Sequence, residues 1–214
     1  VAETKSRGSK KNKKGTLFVI SAPSGAGKTT LCRKLLRKMP DIQLSVSYTT
    51  RQPRKGEMNH VDYSFISKTK FMKMIEKGEF AEWATVHGNL YGTSIKRLKE
   101  LNRAGYDIIL DIDTHGAMQL KNKYGNAVYI FILPPSVEVL KERLVNRKTD
   151  SKDVIAKRLD NAKSEIAHYK EYDYIVVNDR LDKAYRELES VIISSRLRTS
   201  KVDPNWIKKV YKVK

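Results

Sequence analysis

Cysteine is almost missing from this 214-residue chain: Cys32 is the only one, so no disulfide can form within it. A lone thiol suits a reducing compartment. Its place among the apolar positions of a predicted helix favours a packing role over a reactive one. Long hydrophobic runs are missing as well. No stretch approaches the roughly 18 apolar residues that a membrane-spanning helix needs. The Leu17–Ile20 run after the basic N-terminus is too short for a signal-peptide core. The chain opens on Val1, so an initiator residue or a leader is expected to have preceded it. The four histidines, His60, His87, His115 and His168, show no metal-ligand spacing. Acid is the last shortage: 24 Asp and Glu face 43 Lys and Arg, a net charge of +19. That excess points to polyanionic partners such as nucleotides, nucleic acid or an anionic membrane.

Residues 1–14 (VAETKSRGSKKNKK) hold six of the basic residues against one Glu. They read as a solvated basic arm. A nucleic-acid contact by this arm is the lesser alternative, because no aromatic residue interleaves with its lysines. From residue 15 onward short apolar runs alternate with helical spacing. Strands are expected at Thr16–Ser21, Leu44–Tyr48, Tyr63–Ile66, Asp107–Asp113, Ala127–Leu133 and Tyr174–Val177. Between them Leu31, Leu35, Leu36 and Met39 share a helical face that Pro40 ends. Ser67 caps a helix stopped by Gly78, a helix near Ser94–Arg103 ends at Gly105, and Ser136 caps another. Further helices are expected at Asp153–Tyr169 and from Leu181 to about Arg196. This alternation predicts an α/β fold, a parallel sheet wrapped by helices on both faces. Residues 45–93 break the alternation and suggest a separate lobe, and 197–214 read as a basic C-terminal extension.

Ala22-Pro23-Ser24-Gly25-Ala26-Gly27-Lys28-Thr29 follows a strand and precedes a helix, and Thr30 continues it. Except at its first glycine, replaced by Ala22, it fits the pattern of a phosphate-binding loop, G-x-x-x-x-G-K-[ST]. Glycines let backbone N–H groups converge on phosphate oxygens, and the helix N-terminus adds unpaired donors. Lys28 is expected to reach the β- and γ-phosphates of a nucleoside triphosphate and the Thr29 hydroxyl to hold Mg²⁺. Ala22 is tolerable only if its φ is negative. Asp111 and Asp113 lie two apart at the C-terminal end of a predicted strand, where open α/β sheets place ligands. Asp111 suits a Mg²⁺ role, direct or through water. The plain alternative is a strand end turning into a polar loop.

These residues, together with SVSYTTRQPRKGEMNHVDYSF (Ser45–Phe65), FAEWATVHGNLYGTS (Phe80–Ser94), LDIDTHG (Leu110–Gly116), PPSVEVLKERL and IVVNDRLDKAY (Ile175–Tyr185), resemble the guanylate kinase family in order from about residue 16 to 195. The resemblance implies a P-loop kinase that transfers a phosphoryl group from Mg-ATP to GMP, and to dGMP. It implies a domain over 15–196, with a core of 15–44, 94–142 and 161–196, a GMP-binding lobe at 45–93 and a helical lid at 143–160. It implies that Arg51 and Arg54 clamp the GMP phosphate with hydroxyls from Tyr63 and Tyr91. Ser47, Glu82, Thr93 and Asp113 would surround the guanine. Arg143, Arg147 and Arg158 resemble lid arginines that meet the triphosphate, and Asn178 falls on the adenosine side. His60 and His115 depart from the family pattern, which commonly has glycine and glutamine there.

The chemistry also stands on its residues. Guanine offers two adjacent donors, and one buried carboxylate such as Glu82 accepts both; adenine lacks the pair. Arg51 and Arg54 flank a proline, and arginine's planar fork suits a phosphate. The expected setting is the cytoplasm, as a monomer or homodimer without membrane contact. The rival readings are a non-catalytic guanylate-kinase-like module that binds protein, a kinase for another nucleoside monophosphate, and nucleic-acid binding through the basic excess.

Overall fold

The computed structural model describes residues 15–86, 88–146 and 151–213. The basic arm, His87 and Arg147 lie outside the described residues. In chain order the elements run β1 Leu17–Ser21, α1 Lys28–Lys38, β2 Ile42–Leu44, β3 Tyr48–Thr49, β4 Ser64–Phe65, α2 Lys68–Glu76, β5 Phe80–Val86 and β6 Asn89–Ser94. They continue as α3 Ile95–Arg103, β7 Asp107–Asp111, α4 Thr114–Lys123, β8 Val128–Leu133, α5 Val137–Val145, α6 Lys152–Ala167, β9 Tyr174–Val177, α7 Leu181–Arg196 and α8 Pro204–Tyr211.

Five strands pair in parallel in the order β2-β7-β1-β8-β9. Successive strand residues face opposite sides, and β1 shows the result. Phe18 and Ile20 pack with Leu31 and Leu35 of α1 and Ala184, Leu188 and Ile192 of α7. Val19 packs the other way, with Leu98 and Leu101 of α3 and Ala117 and Leu120 of α4. Both faces are therefore dry, and each fully buried Leu or Ile stabilises by about 1.5–3 kcal/mol. With β1 central, the loop after it emerges in the middle of the strands' C-terminal edge, beside the end of β7, where Ile20 is level with Asp111.

At the opposite edge an ionic pin closes the sheet. Asp107 accepts from the Thr16 backbone N–H at 2.6 Å and from Arg196 Nε at 2.6 Å. Asp107 is 6% exposed.

The smaller sheet, β4-β3-β6-β5, is mostly antiparallel and packs Phe80 against Phe71 and Met74 of α2. A third pair of elements, α5 and α6, meets through Leu140, Leu144 and Ala162.

Most expected elements are present, with four differences. The strand expected at Leu44–Tyr48 is instead the link between strands of two sheets, β2 ending at Leu44 and β3 beginning at Tyr48. Ser45 still pairs with the main sheet through its N–H to the Ile109 carbonyl, whereas the Ser47 carbonyl already accepts from Ser64. The strand expected to run to Asp113 stops at Asp111, because Asp113 caps α4 by accepting from the Gly116 N–H at 2.8 Å. The helix expected to reach Tyr169 gives way after Ala167 to a 3₁₀ turn, His168–Glu171. Three elements were not anticipated: α4, the β5–β6 hairpin, and α8 within the C-terminal extension. Asp203 caps α8 and Pro204 occupies its first turn.

Candidate active site

The loop after β1 has the backbone its glycines permit. Gly25 (φ 100°) and Gly27 (φ 92°) are both left-handed, a conformation costly to residues with a Cβ. Gly27 is the N-cap of α1 and has no side chain to offer, so the N–H groups of the first turn remain free for an anion. Ala22 is not among the residues with positive φ, so its extra methyl is accommodated. Pro23 and Ala26 are buried, Ser24 is partly buried, and Thr29 and Thr30 are exposed at the helix entrance.

Lys28 reaches back across the strand ends. Its Nζ lies 2.6 Å from Asp111 Oδ1 and donates to the Ile112 carbonyl at 2.7 Å. Burial works against its charge, but Asp111 outweighs that cost and raises its pKa. Lys28 is thus a fixed cation at the loop's mouth. Burial pushes the neighbouring Cys32 thiol well above its ordinary value, which makes it unreactive.

A second cluster gathers at the smaller sheet. Arg51 Nε donates to the Tyr91 hydroxyl at 3.2 Å, and its NH2 pairs with Glu57 at 2.9 Å. Its guanidinium also lies over the Tyr63 ring, 5.4 Å from the centroid. Arg51 holds the Glu57 carboxyl below the usual range, with help from the Arg54 backbone N–H and side-chain charge. Arg54 itself is exposed. Burial pushes the Tyr63 hydroxyl up to about 12, and that hydroxyl senses Asp111, Lys28, Tyr91 and Arg51 together.

Beside them is an acidic pocket. Glu82 on β5 is 3% exposed and accepts from the Thr93 hydroxyl at 2.5 Å. Burial pushes its carboxyl up to about 7, against the pull of Thr93 and with a push from Asp113. Thr93 pairs with Glu82 across the β5–β6 hairpin and is buried, and Ser47, the residue just before β3, is buried as well. Gly116 completes the wall: a Cβ there would collide with the Glu82 carboxylate. From the other side α4 clasps the edge of β5, with Gln119 bonding the Trp83 N–H and carbonyl at 3.2 and 2.8 Å.

Arg143 and Asn178 meet the phosphate loop from behind. Asn178 Nδ2 and Arg143 NH1 both donate to the Ala26 carbonyl, at 2.8 and 3.4 Å, and Arg143 NH2 donates to the Asn178 carbonyl at 2.8 Å. In this structure both residues brace the loop. Arg158 lies on α6; Arg147 lies outside the described residues.

Two contributors were not singled out from the sequence: Glu57 and Gly116. Glu57 carried a usable signal, an acid six residues beyond Arg51 in a basic loop. His60 takes a glycine-like φ of 64°, held by its N–H to the Tyr63 carbonyl at 2.7 Å and by ring Nδ1 near Ser64 Oγ at 3.0 Å. His115 is exposed in the first turn of α4.

Among the described residues, no group of three or more His, Cys, Asp or Glu side chains is placed to hold a metal ion, and no helix is long and apolar enough to cross a membrane.

The comparisons with known proteins agree with this geometry. The guanylate kinase family profile matches residues 14–195. The guanylate kinase of Geobacter metallireducens is 56% identical over 190 residues, 89% of this chain and 94% of that protein. The guanylate kinase of Legionella pneumophila strain Paris is 46% identical over 187 residues, 87% and 90% of the two chains. The crystal structure of guanylate kinase from Anaplasma phagocytophilum superposes with a TM-score of 0.78 at 30% identity, covering 96% of this chain and all of that one. A profile match over nearly the whole chain and relatives about half identical along nine-tenths of their length leave one conclusion: this chain belongs to the guanylate kinase family.

Proposed function

We propose that the protein is an ATP:GMP phosphotransferase, converting GMP and ATP to GDP and ADP, with dGMP as a second acceptor. The observation that carries this reading is Lys28 held at Asp111 beside a left-handed glycine loop, in a chain that matches the guanylate kinase family over residues 14–195. Transfer between two anions requires a phosphate-seeking group for each, and Arg51 with Tyr91 supplies the second.

Glu82 accepts the N1–H and 2-amino donors of guanine, supported by Thr93, Ser47 and the capping carboxylate of Asp113. Arg51 exchanges Glu57 for the GMP phosphate, and Tyr91, Tyr63 and Arg54 complete its grip. On the donor side the amides from Ser24 to Thr30 hold the ATP phosphates. Lys28 then follows the charge that builds between the β- and γ-phosphates. A GMP phosphate oxygen attacks the γ-phosphorus, and the bond to the bridging oxygen of ADP breaks. Arg143, Arg147 and Arg158 are assigned to the triphosphate side, with Asn178 at the loop's rear wall.

Thr29 and Asp111 suit Mg²⁺, which takes few protein ligands and keeps water and phosphate oxygens for the rest. The ion would neutralise phosphate charge during transfer. Residues 45–93 act as the GMP lobe and 143–160 as the lid. The setting is the cytoplasm, where a lone buried thiol stays reduced, and the assembly is a monomer or a homodimer.

The test is ADP release with MgATP and a panel of GMP, dGMP, AMP, CMP and UMP. GMP should give the highest kcat/KM. A preference for AMP would overturn the role of Glu82, and no turnover with any acceptor would replace the kinase by a non-catalytic binding module.

A further inference from the structure

The roles above leave the grip of α4 on β5 without a purpose. β5 is an edge strand of the smaller sheet, so its outer backbone groups have no strand to pair with. The hairpin also carries an extra residue at this point. Phe80 pairs with Ser94 and Glu82 with Thr93, which leaves Ala81 as the surplus residue of a bulge. A bulge re-aims the side chains around it. Phe80 packs with Phe71 and Met74 in the core of the smaller sheet, whereas Ala81 packs with Leu98, Ala117 and Leu120 in the main core. Glu82 is the next residue after this change of side.

α4 holds the peptides before and after Glu82. Lys123 Nζ donates to the Ala81 carbonyl at 3.1 Å. Gln119 accepts from the Trp83 N–H at 3.2 Å and donates to the Trp83 carbonyl at 2.8 Å, as a neighbouring strand would. Gly116, on the same helix, leaves the room that the Glu82 carboxylate occupies. Gly116, Gln119 and Lys123 fall at i, i+3 and i+7, one face of α4. Ala117 and Leu120 root the helix in the main core. Its N-cap, Asp113, follows closely on Asp111, the partner of Lys28. The backbone on either side of Glu82 is therefore fixed by a helix of the core.

We propose that Gln119 and Lys123 are positioning residues for the base: by holding the Trp83 and Ala81 peptides they set where the Glu82 carboxylate stands, and so how strongly the enzyme prefers guanine. This rests on the reading of Glu82 as the acceptor of the guanine donors. Two donors on one carboxylate tolerate little misplacement, because hydrogen bonds weaken steeply as their angle closes. Thr93 holds one Glu82 oxygen but not the backbone that carries it. Neither Gln119 nor Lys123 needs to touch a nucleotide, and no covalent step is involved.

The test is steady-state kinetics on the full chain with MgATP and either GMP or AMP. Gln119 and Lys123 are both exposed, so Gln119→Ala and Lys123→Met should fold as the parent does. Each should raise KM for GMP by about fivefold, the worth of one ordinary hydrogen bond, and lower the GMP-over-AMP ratio of kcat/KM to match. kcat and KM for ATP should stay at the parent's values. Lys123→Arg keeps a donor and should restore discrimination. Lys121→Met removes another lysine of α4, one that bonds Glu171 instead, and should leave both KM values unchanged. In a Glu82→Gln background the Gln119 and Lys123 substitutions should add no further loss. Parent-like KM for GMP in both variants, a matching rise in KM for ATP, or an undiminished effect in the Glu82→Gln background would overturn the proposal alone. A Glu82→Gln chain that discriminates as the parent does would overturn the base reading and the proposal with it.

Discussion

Glu82 has two opposed obligations. Burial favours its neutral form, with a pKa pushed up to about 7, whereas its proposed role of reading two guanine donors would require the ionised form. The raised pKa means that the empty protein loses stability at this residue as pH rises from its ordinary value of 4.5 towards 7. Bound guanine reverses the preference. KM for GMP should therefore fall as pH rises, by about tenfold between pH 6 and pH 8, since only about a tenth of the carboxyl is ionised one unit below its pKa. Initial rates across that range would check it, with Glu82→Gln as the control that lacks this component and discriminates poorly between GMP and AMP. Lys28 makes the complementary case. Lys28→Ala should lower kcat on the order of 10²–10³-fold, the usual loss of one charge-stabilising donor, while the Kd for GMP by calorimetry stays near that of the parent. Gly116 belongs at the same scale: Gly116→Ala should raise KM for GMP and leave KM for ATP unchanged, because the added methyl displaces only Glu82. Glu57 left only a faint sign in the sequence, an acid in a basic loop, and Gly116 left none, because both act through another residue and a pattern of residue types does not reveal who touches whom.

At the scale of elements, legibility followed the strength of the period. In β9 and α7 the expected and observed spans agree, because their apolar spacing is uninterrupted and their ends carry clear signals. α4 was missed because its first turn, Thr114-His115-Gly116, is built from poor helix formers and its cap, Asp113, resembled a ligand at a strand end. The β5–β6 hairpin was missed because β5 buries Phe80, Ala81 and Glu82 in succession instead of alternating; α4 covers the face that would otherwise be wet. The helix α7 supports a prediction of its own. Its last residue, Arg196, carries the pin to Asp107, with side chains 17% and 8% exposed. Arg196→Ala strands a buried carboxylate and should cost about 3–5 kcal/mol. Urea unfolding would show the loss, while kcat and both KM values should not change, since the pin lies at the edge of the sheet away from the nucleotides.

Across the whole molecule, the chain enters the smaller sheet through Ser45–Ser47 and leaves it at Ser94, and these two strands of backbone are its covalent links to the core. Other bridges are local: Arg33 meets Asp62 at 2.8 Å, an exposed pair worth at most about 1 kcal/mol, and α4 grips β5 at Trp83. GMP and a non-hydrolysable MgATP analogue together should draw the two parts closer, seen as a smaller radius of gyration in solution scattering than with either ligand alone. The placement of the links matters for the proposed assignment. Ser47 and Thr93 adjoin them in sequence and Glu82 pairs with Thr93, whereas Arg51, Tyr63 and Tyr91 lie farther from either link. Were the smaller sheet to turn about its links, the residues assigned to the base would travel least and those assigned to the phosphate would travel most, so that the base would be read before the phosphate is gripped.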